Sequence, residues 1–399
     1  MFRGASFTGQ MRAIAAVHAG SWQAQPLPWA TALAGMALVA FILAAVMAVG
    51  AGIKTMLLQS GSSDVAIVLS QGATEEINSM IPVDQVAVLS TLPGIQPLSH
   101  DTILSPEVYL TIGLPLRSTG AQIDIPLRGI EVAGAQLRRG FRLREGRMFQ
   151  PGTGELMVGS EIARQYSGVQ VGNTLQAESG NWVVVGIFEA GGSVSESEVW
   201  ADARVVQSRY RRDGLYQSTR LRLEDGNSLL RLRQALQPDL RLPLTVIAET
   251  EYYARQSQSL LPTVQAVSVV VAILMGLGAI CGALNTMSGA VQRRQRGMSI
   301  LKSIGFQNGP LLSAIGGEAL LLGLVGGACG SVLAFLCFNG LHASMFNGAS
   351  STQLAFAFAV TPGVMMITTL YTGALGVTCG LIPAVVAARQ SPALVLRTV

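Results

Sequence analysis

Residues 29–53, WATALAGMALVAFILAAVMAVGAGI, form a run of 25 residues without a charged side chain. A helix needs about 20 apolar residues to cross the roughly 30 Å hydrocarbon core of a bilayer. The run is also longer than the apolar core of a secretion signal, which has about 7–15 residues. We therefore predict that residues 29–53 form a first transmembrane helix.

Three further runs have the same character. Residues 260–291 and 356–388 contain no charged side chain, and residues 311–341 contain one, Glu318. Each run is long enough to span a bilayer with some tilt. The sequence therefore predicts an integral membrane protein with a bundle of four transmembrane helices.

The distribution of positive charge predicts the orientation of these helices. Three short segments, 1–28, 292–310 and 389–399, contain arginine or lysine but no acidic residue. Short segments rich in lysine and arginine remain in the cytoplasm. We therefore place both termini and the 292–310 link in the cytoplasm. Residues 54–259, and the short loop that ends at residue 355, are predicted to lie outside the cytoplasmic membrane.

The composition of the 54–259 segment excludes several classes of function. It contains 19 basic and 22 acidic residues, so the sequence pI near 9.0 comes from the cytoplasmic segments and does not indicate nucleic-acid binding. All four cysteines lie in the apolar runs, and the three histidines are far apart in sequence. We therefore expect no metal site and no thiol chemistry.

The 54–259 segment has the pattern of an α+β domain. Alternating apolar residues predict a strand at 64–70, and a helix follows at 83–92. The middle of the segment is rich in short strands separated by glycine and proline, predicted at 108–114, 125–132 (IPLRGIEV), 155–159, 173–177 and 182–188, with a helix at 159–166. Near the end, strands at 218–224 (STRLRLE) and 242–248 flank a helix at 228–236. We predict a membrane-near lobe built from both ends and a distal β-rich lobe over about 100–215. The fold class is then a membrane α-helical bundle with an α+β domain inserted between helices 1 and 2.

No catalytic constellation is visible, so we do not expect an enzyme. Two pairs of neighbouring carboxylates occur, Glu75/Glu76 and Glu196/Glu198. We interpret the first as part of a solvated face and the second as part of a turn, and neither as an acid/base pair. The arginine cluster at 138–147, RRGFRLREGR, is interpreted as a solvated, partly salt-bridged surface rather than an anion site.

The 292–310 link has the pattern of a short amphipathic helix. Gly297, Ile300, Leu301 and Ile304 recur at helical spacing, and basic and polar residues lie off that stripe. Such a helix either lies among lipid headgroups or docks into a cytoplasmic partner. Composition by itself favours the lipid.

Glycine pairs four residues apart recur in the second and third runs. They are Gly278/Gly282, Gly323/Gly327 and Gly326/Gly330. Pairs of small residues at this spacing allow transmembrane helices to approach closely. Glycine is also common in membrane helices in general, so the pattern leaves both interpretations open.

Residues 292–330, QRRQRGMSILKSIGFQNGPLLSAIGGEALLLGLVGGACG, resemble the signature of the MacB/FtsX-type ABC transporter permeases. The tail ARQSPALVLR at 388–397 resembles the closing motif of that family. The pieces LREGRMF, GELMVGSEIARQY, VGNTL, WVVVGIFEAGG and SEVW, between residues 143 and 200, resemble its periplasmic core domain. The topology of one span, a large outer domain and three further spans is also that of the family.

The resemblance implies a permease subunit of a type VII-like (MacB/FtsX-type) ABC transporter in the inner membrane. It would work as a dimer with two copies of a separate cytoplasmic ATPase, which would bind the ATP, and with a possible periplasmic adaptor. No cofactor is expected in this chain. A homodimer is the simpler arrangement, and a heterodimer stays open.

The resemblance also assigns roles to particular residues. The ATPase-coupling residues would be Arg294, Arg296, Met298, Ile300, Leu301, Lys302, Ile304 and Gly305. Glu318 would be an intramembrane polar residue that helps to hold this coupling helix, or else it reaches the headgroups.

The substrate class stays open at the level of sequence. The first reading is mechanotransmission from the ATPase to the periplasmic domain, for efflux of an envelope or periplasmic substrate. The alternatives are an FtsX-like regulator of a cell-wall hydrolase and a lipoprotein-releasing permease. The scarcity of ionisable residues in the spans argues against a polar conduit between them.

Overall fold

The computed structural model describes residues 26–92, 97–98, 101–102, 104–177, 180–236, 242–303, 308–347 and 352–389. The chain divides into two compact units. The membrane unit comprises Met1–Gly52, Pro262–Leu341 and Phe358–Val399, and the outer unit comprises Ile53–Leu261 and His342–Ala357.

Four helices of the described residues are long and apolar enough to cross a membrane. They are α1 (Pro26–Ser60), α6 (Glu249–Ser303), α7 (Asn308–Phe338) and α8 (Pro362–Arg389). Each contains most of one predicted span. The last helix begins at residue 362, later than the predicted 356, because the preceding residues form a strand.

Glycines on two faces of α7 let it pack closely against two other helices. A Cβ atom added at Gly323 would lie 2.9 Å from Gly373 Cα of α8, and one added at Gly326 would lie 2.7 Å from Met36 Cβ of α1. Gly327 and Gly330 continue these two contacts one turn further along. These pairs are confirmed as close-packing sites.

The third glycine pair behaves differently. A Cβ atom added at Gly278 of α6 would meet nothing within 4 Å, and the side-chain surroundings of Gly282 lie outside what the structure describes. The spacing of small residues alone therefore does not identify a packed face.

The outer unit contains a sheet with the strand order β14-β1-β13-β5-β6-β11-β8-β10-β7, and β9 pairs with β10. Its strands are β1 (Val65–Ser70), β5 (Leu104–Pro115), β6 (Gln122–Ile130), β7 (Phe141–Gly146), β8 (Glu155–Gly159), β9 (Thr174–Ala177), β10 (Gly180–Ala190), β11 (Val199–Asp202), β13 (Ser218–Arg222) and β14 (Leu244–Ala248).

Short elements complete the described outer unit. The helices are α2 (Val83–Leu89), α3 (Ser160–Gln165), α4 (Ala203–Arg209) and α5 (Ser228–Leu236), and the 3₁₀ helices are Glu76–Asn78, Val132–Leu137 and Val194–Ser197. The two-residue strands are β2 (Ile81–Pro82), β3 (Pro97–Leu98), β4 (Asp101–Thr102) and β12 (Leu215–Tyr216). A separate hairpin consists of β15 (His342–Asn347) and β16 (Thr352–Ala357).

One long strand joins the two predicted lobes. The first residues of β5, from Leu104 to Glu107, pair with β13, and Val108 to Pro115 pair with β6. One hydrophobic core extends from Val68 near the start of the unit to Trp182 in its middle. The ends and the middle of the outer segment therefore share a strand and a core.

Most of the strands and helices predicted for the outer unit are present within a few residues of the predicted positions. The strand β7 was missed because its sequence, FRLREG, is dominated by charge, and it forms by pairing with β10 at the edge of the sheet. The loop predicted between the third and fourth spans contains the β15–β16 hairpin.

Candidate functional site

Seven charged side chains meet in the interior of the outer unit, and we call them the ion cluster. Each is at most 7% exposed. They are Glu76 of a 3₁₀ helix, Glu107 of β5, Arg128 of β6, Arg138 after a 3₁₀ helix, Glu198 before β11, Arg220 of β13 and Glu249, the first residue of α6.

Arg128 is the centre of the ion cluster. Its guanidinium donates two hydrogen bonds to Glu198 at 2.7 and 2.8 Å and two to Glu76 at 2.8 and 2.9 Å. A further bond of 2.8 Å reaches Glu107. The same guanidinium lies 4.7 Å from the centre of the Tyr109 ring. Paired, bidentate contacts of this kind compensate the loss of hydration that a buried charge suffers.

The arginines keep the central carboxylates ionised. Burial alone would raise the pKa of Glu107, but the positive charges of Arg138, Arg220 and Arg128 outweigh it and lower the pKa to about 2. Burial likewise opposes the charge of Glu76, and Arg128 and Arg220 lower its pKa well below the usual range. Neither group is protonated near neutral pH, so neither is a general acid there.

The ion cluster includes the start of α6. Arg220 Nε donates to Glu249 Oε1 at 3.1 Å, and the backbone N–H of Ser62 donates to Glu249 Oε2 at 3.0 Å. A Cβ atom at Gly61 would lie 2.7 Å from Thr250 Cα, so only glycine fits there. The residues that follow α1 are therefore bonded directly to the residues that begin α6.

The end of α1 is also fixed to the loop before β11. The backbone N–H of Val194 donates to Ser60 Oγ at 2.8 Å. Glu196 in the same loop accepts hydrogen bonds from the backbone N–H groups of Ala190 and Gly192, both at 2.8 Å, and from Ser160 Oγ. This loop thus connects the end of α1 to the sheet and to the start of α3.

The arrangement ties distant parts of the outer unit together. The central carboxylates stay charged, each buried guanidinium is paired, and removal of one partner from a buried pair costs about 3–5 kcal/mol. The cluster links three sheet strands to the first residue of a membrane-spanning helix. Glu249 itself is joined to the cluster by an ion pair with Arg220 and also accepts the hydrogen bond from the Ser62 backbone N–H.

Two interpretations made from the sequence are wrong in part. Glu76 is buried and accepts hydrogen bonds from Arg128, so it does not lie on a solvated face. Glu196 and Glu198 lie in and directly after the 3₁₀ helix Val194–Ser197, as a turn would place them, but both are buried. Arg138 in the 138–147 cluster is also buried and is bonded to Glu107. The remaining arginines of that stretch are exposed as expected, and Arg147 pairs with Glu155 at the surface.

The residues predicted to couple to an ATPase lie near the end of the longest helix. α6 is helical from Glu249 to Ser303, so residues 294–302 occupy its last turns and no break separates them from the second span. Ile304 and Gly305 lie outside the described residues. The docking role of this segment stays a prediction.

Glu318 lies on α7, ten residues after the start of that helix, and is half-buried. It takes part in a polar interaction in the structure. Its proposed role in holding the coupling segment stays a prediction.

Sequence analysis did not single out Arg128 or Arg220. Both were placed in predicted strands, IPLRGIEV and STRLRLE, with apolar or uncharged neighbours. For Arg128 the available signal was an arginine between apolar and glycine neighbours in a strand, because such a charge is rarely buried unless it is paired. The segment STRLRLE contains a second arginine and a glutamate, so it gave no such signal for Arg220. The partners come from distant parts of the chain and leave no local pattern.

The membrane unit has its own polar tie and an apolar cavity. Tyr371 of α8 donates a hydrogen bond to the carbonyl of Ala272 in α6. A cavity of about 400 Å³ between the four helices is lined almost wholly by apolar side chains and glycines, with Thr31 and Cys379 as exceptions.

Comparisons with known proteins agree with this architecture. Four helices of the described residues are able to cross a membrane, and one large α+β unit accompanies them, which is the architecture of a multi-pass membrane protein. A family model described as the MacB-like periplasmic core domain matches residues 29–239, and one described as the FtsX-like permease C-terminal matches residues 269–392. The chain belongs to the MacB/FtsX-type family of ABC transporter permeases, whose permease-type members are transporter components, and it is a multi-pass protein of the inner membrane.

Two similar relatives are each 23% identical to this chain. One is an uncharacterized ABC transporter permease of Methanocaldococcus jannaschii, aligned over 57% of this chain and 58% of the relative. The other is the macrolide export ATP-binding/permease protein MacB of Burkholderia cenocepacia, aligned over 87% of this chain and 52% of the relative. The chain thus spans about half the length of the curated relatives it matches.

Solved structures of outer domains are also similar. The periplasmic region of MacB from Actinobacillus actinomycetemcomitans matches with a TM-score of 0.38 at 12% identity, over 51% of this chain and 95% of that one. The extracellular domain of the transporter YknZ from Gram-positive bacteria matches with a TM-score of 0.35 at 14% identity, over 46% of this chain and 99% of that one.

Proposed function

We propose that this chain is the permease subunit of a type VII-like ABC transporter and that it transmits work from a separate ATPase to its outer unit. Two copies of the chain would assemble with two ATPase subunits, which bind the ATP, while the chain itself holds no cofactor. The outer unit would lie in the periplasm, between the first and second spans, and both termini in the cytoplasm.

The observation that carries the proposal is the continuity of α6. This helix runs for 55 residues, from Glu249 in the ion cluster to Ser303. At 1.5 Å per residue its length is about 80 Å. One end belongs to the buried cluster of the outer unit, and the other end carries the predicted coupling residues Arg294 to Lys302. The helix contains Pro262, where the two units meet in the chain, and its continuous backbone would carry a displacement past that residue.

The membrane unit supports transmission rather than passage of a solute. Its cavity offers few polar groups, and the described spans pack mainly through glycine and alkyl surfaces, with a buried hydrogen bond between the hydroxyls of Ser331 in α7 and Thr368 in α8. A hydrophilic solute needs polar groups or water along its path. The substrate would therefore be an envelope or periplasmic molecule that is moved by the outer unit, with a possible adaptor protein.

The first test asks whether the coupling segment holds an ATPase. The tagged chain, purified in mild detergent from its own host's membranes, should carry a subunit that hydrolyses ATP and is inhibited by vanadate. Leu301→Asp places a charge in the apolar stripe and should abolish co-purification and hydrolysis. Leu230→Asp, at an exposed leucine of α5 in the outer unit, is the matched control and should leave both unchanged. A wild-type chain that brings down no ATPase would refute the proposal.

A second test concerns Glu318. Glu318→Gln keeps the ability to hydrogen-bond and should retain part of the ATP hydrolysis of the complex, whereas Glu318→Leu should lose it. The rate of vanadate-sensitive hydrolysis per purified complex is the measurement. Full activity in both variants would show that this carboxylate does not hold the coupling segment.

A further inference from the structure

The hairpin β15–β16 joins the third and fourth spans, yet by its contacts it belongs to the outer unit. Its strands pair from His342↔Ala357 to Asn347↔Thr352. Next to it in the chain, Gly340 and Leu341 exchange backbone hydrogen bonds with Phe358. The two strands of the hairpin are therefore hydrogen-bonded to each other close to the end of α7 and shortly before the start of α8.

The hairpin packs against elements of the outer unit that are also bonded to the end of α1 or belong to the ion cluster at the start of α6. Strand β16 packs against β6 and against the 3₁₀ helix Val194–Ser197. That 3₁₀ helix begins at the residue whose N–H is bonded to Ser60 at the end of α1. Strand β6 carries Arg128, the centre of the ion cluster that holds the start of α6. Three connections to membrane helices thus converge on neighbouring elements.

A polar triad fixes the first residue of the hairpin. His342 Nδ1 lies 3.0 Å from Glu161 Oε1, and its Nε2 lies 2.9 Å from Arg164 Nη1. Arg164 Nη1 donates to Glu161 Oε1 at 2.8 Å, which closes the triangle. Glu161 is buried, at 6% exposure, and sits at the start of α3.

The triad joins the hairpin to a buried charged group of the outer unit. Burial of a carboxylate costs free energy unless the carboxylate is paired. One partner of the buried Glu161 is His342, which lies 181 residues later in the chain. The histidine also follows closely on α7, which ends at Phe338. Only three residues separate the end of α7 from His342.

We infer that the β15–β16 hairpin is a third mechanical link, in which His342, Glu161 and Arg164 act as positioning residues that couple the third and fourth spans to the outer unit. This inference rests on the proposed function, because it takes α7 to follow the ATPase-coupling segment. The path runs from residues 294–305 through α7 to His342 and on to α3 and β6.

The test uses the full chain in its complex with the ATPase, in lipid nanodiscs. Hydrogen–deuterium exchange is measured over residues 122–130 and 160–165, with and without ATP and vanadate. The wild type should show an ATP-linked change in exchange in both segments. His342→Ala and Arg164→Ala should lose that change without a matching loss of ATP hydrolysis.

Two further variants separate coupling from folding. His342→Gln keeps one donor and one acceptor and should restore the ATP-linked change that His342→Ala loses. Arg231→Ala is the matched control. The Arg231 side chain is 42% exposed and paired with carboxylates, and that of Arg164 is 43% exposed. Arg231→Ala should behave as the wild type.

The outcomes distinguish the link from the proposed function. If His342→Ala and Arg164→Ala keep the ATP-linked change, or lose it only in proportion to hydrolysis, the hairpin link is refuted while the permease function stands. If the wild type itself shows no ATP-linked change in α6 or in the outer unit, the proposed function fails and the link fails with it.

Discussion

At the centre of the outer unit, Arg128 donates five hydrogen bonds to three carboxylates at 2.7–2.9 Å. At the centre of the membrane unit, Gly330 of α7 faces the backbone of Ala37 in α1, where an added Cβ would lie 2.8 Å from the carbonyl carbon. The first contact depends on charge and the second on the absence of a side chain.

The difference follows from the solvent of each unit. A domain that folds in water can bury charges if they find partners during folding, and the pairing then fixes which strands lie together. Helices in lipid gain nothing from excluding apolar groups from water, so they associate through close packing and a few interhelical hydrogen bonds. The outer unit is therefore sensitive to lost charge, and the membrane unit to added volume.

The helix α6 takes part in both kinds of contact but is the least enclosed of the four spans. In its most apolar 18-residue window, 6% of the described residues are buried, compared with 28–33% for the other three spans. Its tie to α8 is the hydrogen bond from Tyr371 to the Ala272 carbonyl. α6 is thus held at Glu249 by an ion pair and a backbone hydrogen bond, while few residues along its described span are buried within the chain.

The largest effect is expected from removal of the central charge of the ion cluster. Arg128→Met leaves three buried carboxylates without their shared partner and should lower the free energy of unfolding of the outer unit by about 3–5 kcal/mol. The measurement is denaturant unfolding of the purified chain, followed by fluorescence of the buried Trp182 and Trp200.

The control for this variant is Arg144→Met. Arg144 is 52% exposed and lies 3.5 Å from Glu189, so its loss should change stability by less than about 1 kcal/mol. Equal effects of the two substitutions would show that burial of the cluster does not matter for stability.

Acid should weaken the outer unit next. The pKa of Glu107 is about 2 in the folded state and 4.5 in the reference state, so its ionised form stabilises the fold. This stabilisation is present above pH 4.5 and is lost as pH falls from 4.5 towards 2. The loss is on the order of 3 kcal/mol for Glu107, at about 1.4 kcal/mol per pKa unit.

Glu76 should add to this acid sensitivity in the same direction, because its pKa is also lowered in the folded state. Unfolding measured by tryptophan fluorescence at pH 7, 4 and 3 tests the expectation. An outer unit as stable at pH 3 as at pH 7 would contradict the assignment of these carboxylates as buried and charged.

A smaller effect is expected in the membrane unit, where volume rather than charge is limiting. Gly330→Val would force α7 away from α1 and should cost about 1–3 kcal/mol, as overpacking does elsewhere. Thermal denaturation in detergent or resistance to SDS is the readout. Gly278→Val is the matched control, since its Cβ would meet nothing within 4 Å, and it should be near neutral.

Much of the architecture was predictable because membrane helices and strands leave local patterns. The absence of charge over residues 29–53 and 260–291 was enough to place two spans, since a bilayer penalises charge at each position. Short alternating runs placed β1 and β8 within a residue of their observed bounds. Strand β7 escaped, because its charged sequence becomes a strand only by pairing with β10.

The candidate site was not predictable in the same way. Glu76 and Glu198 look like ordinary surface carboxylates in sequence, and Arg128 looks like one misplaced charge in a strand. Their interaction depends on segments 52 and 70 residues apart that the sheet brings together. The same is true of the contact between His342 and Glu161, which are 181 residues apart in the chain.

By itself, then, the sequence predicted four apolar helices able to cross a membrane and one large α+β domain, and both are present. A bilayer favours apolar residues and penalises charged ones at each position independently, so the linear sequence is enough to predict a span. The tertiary structure alone decided which carboxylates and arginines are buried together and which glycines touch a neighbouring helix. Those properties depend on what a side chain meets across space, and neither periodicity nor composition contains that information.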